Sequence, residues 1–259
     1  MRVLPWLAKI SFAALIAALL TSLVAGLGTR FGFWNVYVGL YAIFVWSIVL
    51  GLLGFAAGLV WAICAMVANR GASARYGVIG LFGSAALLAA PLYAVYAAET
   101  SPRIHDISTD TDHAPQFVAL KSDRAGALTG PEYDGSKPAL GPNGKSASTA
   151  QLQKKYYPDL YSKADLTSPD KLFARALKTA YAMGWHVVAV APKEGRIEAT
   201  ATSLLFGLTD DLVIRVKPAG IGARLDIRSK SRFPIWKNSD AGGNAARVRS
   251  YLKTLANTY

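Results

Sequence analysis

Cysteine is nearly absent: the chain of 259 residues has one, Cys64. A single thiol excludes an intrachain disulfide and a thiolate metal cluster. Inside an apolar run it reads as a small buried hydrophobe. Negative charge is missing from the first third of the chain, and all 16 acidic residues lie from Glu99 onward. Between Ile10 and Ala98 the only charged residues are Arg30, Arg70 and Arg75. No Asp, Glu, Lys or His lies within a candidate span, so the intramembrane groups that proton and ion pathways use are lacking. Also absent are G-x-S-x-G, H-E-x-x-H, the P-loop and the dinucleotide fingerprint. The sequence therefore speaks to location, architecture and ligand class rather than to a reaction.

What is present divides sharply. Mean hydropathy is +0.28, and the apolar excess sits in residues 1–98. The remainder carries 23 of the 28 Lys and Arg, so +7 of the +12 net charge lies there and +5 in the first part. Three uncharged apolar runs, about 10–27, 40–67 and 78–96, are long enough to cross a hydrocarbon core as helices. Pro91 is expected to kink the third. Arg2 and Lys9 precede the first span, Arg70 and Arg75 lie in the second loop, and only Arg30 is in the first loop. The positive-inside rule then places the N-terminus in the cytoplasm and residues 99–259 outside it. Gly54 and Gly58 have a GxxxG spacing that favours close helix packing within the chain.

Residues 99–167 are expected to be an extended segment and loop. Asp106, Asp110, Asp112 and His113 offer a metal site in principle, with carboxylates for Ca²⁺ and imidazole for Zn²⁺. Their spacing matches no standard loop, and the plainer reading is Asx and Thr turns leading into a short strand at Gln116–Leu120. Tyr156, Tyr157 and Tyr161 form an aromatic cluster that caps the core or faces a partner.

The last part, 168–259, reads as helix, four strands, helix. Ser168-Pro169-Asp170 starts a helix and Gly184 ends it. Gly- and Pro-rich breaks then cut strands at 185–191, 196–202, 211–217 and 223–230, an antiparallel meander. Asn244 is placed to cap a final helix. The fold class is α+β, with a four-stranded antiparallel sheet, helices on one face, and a three-helix transmembrane bundle at the N-terminus. Period-two alternation points Ile197, Ala199, Ala201, Leu212, Ile214, Val216, Leu225 and Ile227 under the helices. The opposite face carries Arg196, Arg215, Lys217, Arg224, Arg228 and Lys230 against Glu198 and Asp226. Six cations against two anions suit an anionic lipid headgroup, an envelope polymer or an acidic partner. An ordinary solvated face, with Arg215 or Arg228 paired to Asp226, accounts for the same pattern.

Three spans followed by IHDISTDTDHAPQF, YYPDL, GWHVVAVAPKEGRIEATATSLLFGLTDDLVIRV and SRFPIWKNSDAGGNAARVRSYLKTL resemble the bacterial family of domain of unknown function 1499. The run Glu194-Gly195-Arg196-Ile197-Glu198-Ala199-Thr200 is its most specific part. The chain departs from the family at Phe233-Pro234-Ile235-Trp236-Lys237. The resemblance implies an envelope or lumenal domain and transfers no catalytic residue. The expectation is an inner-membrane protein with a periplasmic binding or assembly module, in contact with the bilayer and with an anionic lipid, an envelope polymer or a membrane-protein partner. No cofactor and no nucleic acid are expected. An accessory structural subunit of a membrane complex, and an envelope hydrolase or metal-dependent enzyme, are the alternatives.

Overall fold

The computed structural model describes residues 3–68, 74–233 and 239–258. Arg2, Arg70 and Pro234–Lys237 lie outside the described residues. The chain forms two compact units.

The first unit holds helices α1 (Val3–Arg30), α2 (Phe44–Ala68) and most of α3 (Ala74–Thr100), together with Ser203–Gly207. A π-helical turn, Val38–Ile43, leads into α2. Three helical stretches, Leu4–Arg30, Val38–Val67 and Ala74–Thr100, are long and apolar enough to cross a membrane. Pro91 lies within α3 without ending it. The small residues act as expected. A Cβ on Gly54 would stand 2.6 Å from the Ser84 hydroxyl, and one on Gly58 would stand 2.7 Å from that of Ser11. The Ser11 hydroxyl donates to the Gly54 carbonyl at 2.7 Å, which satisfies a polar group that an apolar interior would otherwise penalise. Cys64 is exposed on α2 rather than buried.

The second unit is α+β. Its sheet runs β1 (Asp106–Ser108), β8 (Gly222–Ser231), β7 (Thr209–Ala219), β6 (Arg196–Thr202), β5 (His186–Ala191), all antiparallel. The four expected strands are β5 to β8. Two short strands were not foreseen: β1, and β4 (Lys163–Asp165), which shares the outer edge of β8 with β1. A separate hairpin, β2 (Pro138–Leu140) with β3 (Ser146–Ser148), leads into α4 (Thr149–Tyr156). Ser148 and Gln151 form a capping box at that helix start.

Helices α5 (Pro169–Ala182) and α6 (Gly243–Ala256) pack on one face of the sheet. The eight apolar residues assigned to that face are all buried there. Trp185 stacks on Tyr251 with ring centroids 5.1 Å apart, and the Tyr251 hydroxyl donates to the Ala176 carbonyl. The cap of α6 differs from expectation. Asn244 lies inside the first turn, and its buried side chain bonds Ser229, Ser231 and the His105 carbonyl. Asp240 serves the helix start instead, accepting from the backbone N–H of Gly242 and Asn244.

Candidate functional site

The other sheet face was expected to be open and basic. It is roofed by residues 109–134. Glu198, Val213 and Arg228 stand opposite one another across β6, β7 and β8, and all three are fully buried. Glu198 accepts the backbone N–H groups of Val118, Ala119 and Leu120 at 2.8–3.0 Å, and Arg196 pairs with it. This is why Gln116–Leu120 is not a strand. Its N–H groups turn together onto one carboxylate in a short 3-10 turn, Ala119–Lys121, rather than joining a ladder. Phe117 and Leu120 close on Val213 in a small apolar cluster.

Arg228 is the centre of the roof. Its Nε and Nη2 reach Asp106 at 2.8 and 2.9 Å, and it also donates to the carbonyls of Pro115 and Pro131. The rings of Phe117 and Tyr133 lie 4.7 and 5.4 Å from the guanidinium carbon. A buried guanidinium is tolerable only with such a bidentate partner and its remaining donors satisfied. Lys230 adds a 2.9 Å bridge to Asp106. Burial pushes the Asp106 carboxyl up, but Arg228 and Lys230 overcome it and hold the group below the usual carboxylate range. A second knot joins Asp211 to Arg124 and Arg232. A third joins Asp110 and Asp226 to Arg215 and Arg224.

The residues named for anion binding thus divide. Arg196, Arg215 and Arg228 are turned inward onto carboxylates. Lys217 is exposed at the end of β7. Arg224 and Lys230 each line a cleft. Arg215 does pair with Asp226, whereas Arg228 takes Asp106 from β1, an interaction that the meander alone could not foretell. The four residues of the metal reading do not converge. Asp106 is occupied by Arg228 and Lys230. Asp110 accepts the N–H groups of Asp112 and His113 in an Asx turn and faces two arginines. Asp112 bridges to Lys154. Among the described residues no group of three His, Cys, Asp or Glu could hold a metal ion.

Openings lie at the margins. One, of about 580 Å³, lies between the Asx turn and the Tyr157–Ser162 segment, with Arg224 at its floor. It brings Asp110, Asp112, His113, Arg224 and the tyrosine cluster together, features far apart in sequence. Tyr161 is mostly exposed here. Another, of about 630 Å³, lies between β1, the β2–β3 hairpin and residues 128–134, with Lys230 in its wall.

Sequence reasoning gave Asp240 no physical role. Burial pushes its carboxyl up to about 6; the Asn244 N–H opposes this and Asp210 adds to it. Asp210 itself is bridged to Arg247. The folded state thus holds a proton that the unfolded chain releases near pH 4, so this group's contribution to stability falls as pH rises from about 4 to 6. The effect is at most on the order of 3 kcal/mol. Because Gly242 and Asn244 donate to separate oxygens of Asp240, Asp240→Asn removes the titration but keeps an oxygen for only one of the two helix N–H groups. Its stability relative to the parent is expected to rise between pH 4.5 and 7.5 in thermal melts. A difference that stays constant over that range would show that Asp240 does not titrate there.

A sequence profile for a family described as protein of unknown function (DUF1499) matches residues 106–255. The matched span begins at Asp106, the carboxylate that holds Arg228, and runs to the end of α6. No curated protein matches the chain.

Proposed function

This chain belongs to the DUF1499 family, and from that premise we propose a bacterial inner-membrane protein whose second unit is a periplasmic binding module for ligands bearing an anionic group. The three span-capable helices support the anchor. Lys9 and Arg75 on one set of helix ends, against Arg30 alone at the C-terminal end of α1, support a cytoplasmic N-terminus. The module is non-enzymatic in this reading, and its ligand is a lipid headgroup or an envelope polymer.

The observation that carries the binding reading is the posture of Arg224. It contacts Asp110 and Asp226 through Nη2 alone, both at 3.1 Å, and its side chain is 39% exposed. Its other N–H groups make no hydrogen bond among the described residues and open onto the cleft beside Tyr161. A guanidinium with a free donor edge, in a cleft that Tyr157 and Tyr161 also line, suits a phosphate or carboxylate attached to a larger body.

Reversing Arg215 or Arg228 would test folding rather than binding, because both are inside the roof. Arg224→Gln is the informative change. Arg215 still bridges Asp110 and Asp226 in this variant, so the stability loss is expected to stay within about 1 kcal/mol. Full-length protein purified in mild detergent is expected to carry anionic lipid, or to bind soluble polyphosphate, several-fold more than the variant does. Lipid mass spectrometry and a polyphosphate titration read the two sources separately. Equal retention by both proteins in both assays would end the anion-binding reading.

A further inference from the structure

The wall that contains Lys230 is built differently from the Arg224 cleft, and it is not a by-product of the roof. Lys230 is the innermost charged residue of the opening, with its side chain 8% exposed. An ammonium has three donors. One goes to Asp106 at 2.9 Å and one to the Glu132 carbonyl at 2.7 Å. The third has no acceptor among the described residues. Arg103 and Lys137 stand at the rim, and neither forms an ion pair among the described residues. The carboxylates nearby are already committed in part. Asp106 is matched by Arg228, and Asp134 is wound into its own turn by the N–H groups of Ser136 and Lys137. Glu132 and Asp134 are both exposed. The lining itself balances, with Lys230, Arg103 and Lys137 against Asp106, Glu132 and Asp134; the positive excess lies behind it, where Lys230 and the fully buried Arg228 share the one carboxylate of Asp106.

The rest of the lining mixes apolar side chains, Ile104, Leu128, Pro138, Ala139 and Leu140, with His105, Thr129 and Thr149. These walls are fixed before any ligand arrives. The Arg103 N–H bonds the Leu140 carbonyl at 2.8 Å, which ties the β2–β3 hairpin to the approach to β1. The Leu128 N–H bonds the Arg232 carbonyl at 3.1 Å, and the Thr129 hydroxyl donates to the Ser231 carbonyl at 2.8 Å. A preformed concave site with an apolar lining and a few converging polar groups is the usual form of a small-molecule pocket, and about 630 Å³ lies in the usual size range.

We propose that this pocket is a second ligand site, separate from the Arg224 cleft, that takes a small amphiphilic anion: a phosphate or carboxylate held by Lys230, Arg103 and Lys137, with a compact apolar body against Leu128 and Leu140. The anionic group offsets the second cation on Asp106 and accepts a hydrogen bond from the third Lys230 N–H. The apolar body covers the hydrophobic wall, so neither half of the ligand suffices alone.

The test is calorimetric titration of the full-length protein in nanodiscs, with empty nanodiscs as the blank. Phenyl phosphate is the probe, compared with inorganic phosphate and with phenol. Phenyl phosphate is expected to bind saturably and about tenfold or more tightly than either fragment. The variant Arg103→Gln/Lys137→Gln changes only rim side chains and is expected to weaken binding about tenfold. Leu140→Asp is expected to do the same through the apolar wall. Arg224→Gln is expected to leave it unchanged. The proposal is overturned if phenyl phosphate shows no saturable binding, if it binds no better than inorganic phosphate, or if Arg224→Gln rather than the rim variant abolishes it. The last result would assign the binding to the other cleft.

Discussion

Arg228→Ala is expected to cost about 3–5 kcal/mol of stability, the usual result of leaving a buried ion pair without one partner. The change removes the bidentate grip on Asp106, the bonds to the Pro115 and Pro131 carbonyls, and the cation sandwiched between Phe117 and Tyr133. Lys230 alone would then face a buried carboxylate. Arg228→Lys is expected to recover little, because an ammonium cannot form the two parallel bonds that the fork makes. The pH response supplies a second signature. Asp106 is held below its ordinary range, so its stabilising contribution is present above the unfolded value near 4 and is lost as pH falls through the lower folded value. The alanine variant should therefore lose less stability than the parent on acidification. Urea denaturation of the full-length protein, followed by tryptophan fluorescence, measures both. A cost below about 1 kcal/mol, the range of a surface pair, would mean that the roof does not depend on this residue.

The sequence shows the helices and the meander clearly because each obeys a local rule. Apolar runs mark the spans, Ser168-Pro169 and Gly184 bracket α5, and alternation from Ile197 to Ile227 assigns the core face. The polar face is legible only as a list of charges. Whether Arg228 meets solvent or a carboxylate depends on residue 106, more than a hundred positions away and paired through a strand of three residues. Nothing in the IHDISTDTDHAPQF pattern distinguishes an acid that takes an arginine from one that takes a metal. Glu198 is harder still, since beside Arg196 its partners are three backbone N–H groups, which carry no sequence signal. The spacing of α4 was hidden by the Gly- and Ser-rich residues before it, although the Ser148–Gln151 capping box was readable. The same logic explains why Arg224 was named among six equals. Exposure, not charge, separates it from Arg215 and Arg228.

Gly195→Ala is expected to be nearly as damaging as loss of Arg228, and it tests the most specific stretch of the resemblance. Gly195 has φ 63 and ψ 29 at the end of the 3-10 turn Pro192–Glu194, a left-handed conformation that disfavours a side chain. Its carbonyl accepts from the Val216 N–H at 2.7 Å, and a Cβ would stand 2.0 Å from the Val216 carbonyl oxygen. Both sides of that clash are backbone, so neither can rotate away. Arg196 and Glu198, which follow on β6, are aligned by this turn. A shift here would loosen Ile197 from Ile214 and turn the Glu198 carboxylate away from residues 118–120. Gly184 provides the control: it has φ 70, and a Cβ there would meet nothing within 4 Å. Gly184→Ala should cost only the left-handed strain, about 1–2 kcal/mol. Gly195→Ala should cost about 3 kcal/mol or more, since strain and steric conflict act together. Parallel urea curves for the two variants isolate the difference. If the costs were equal, the close approach of β7 to this turn would not constrain the sequence, and the glycine of the EGRIEAT run would reflect backbone conformation alone.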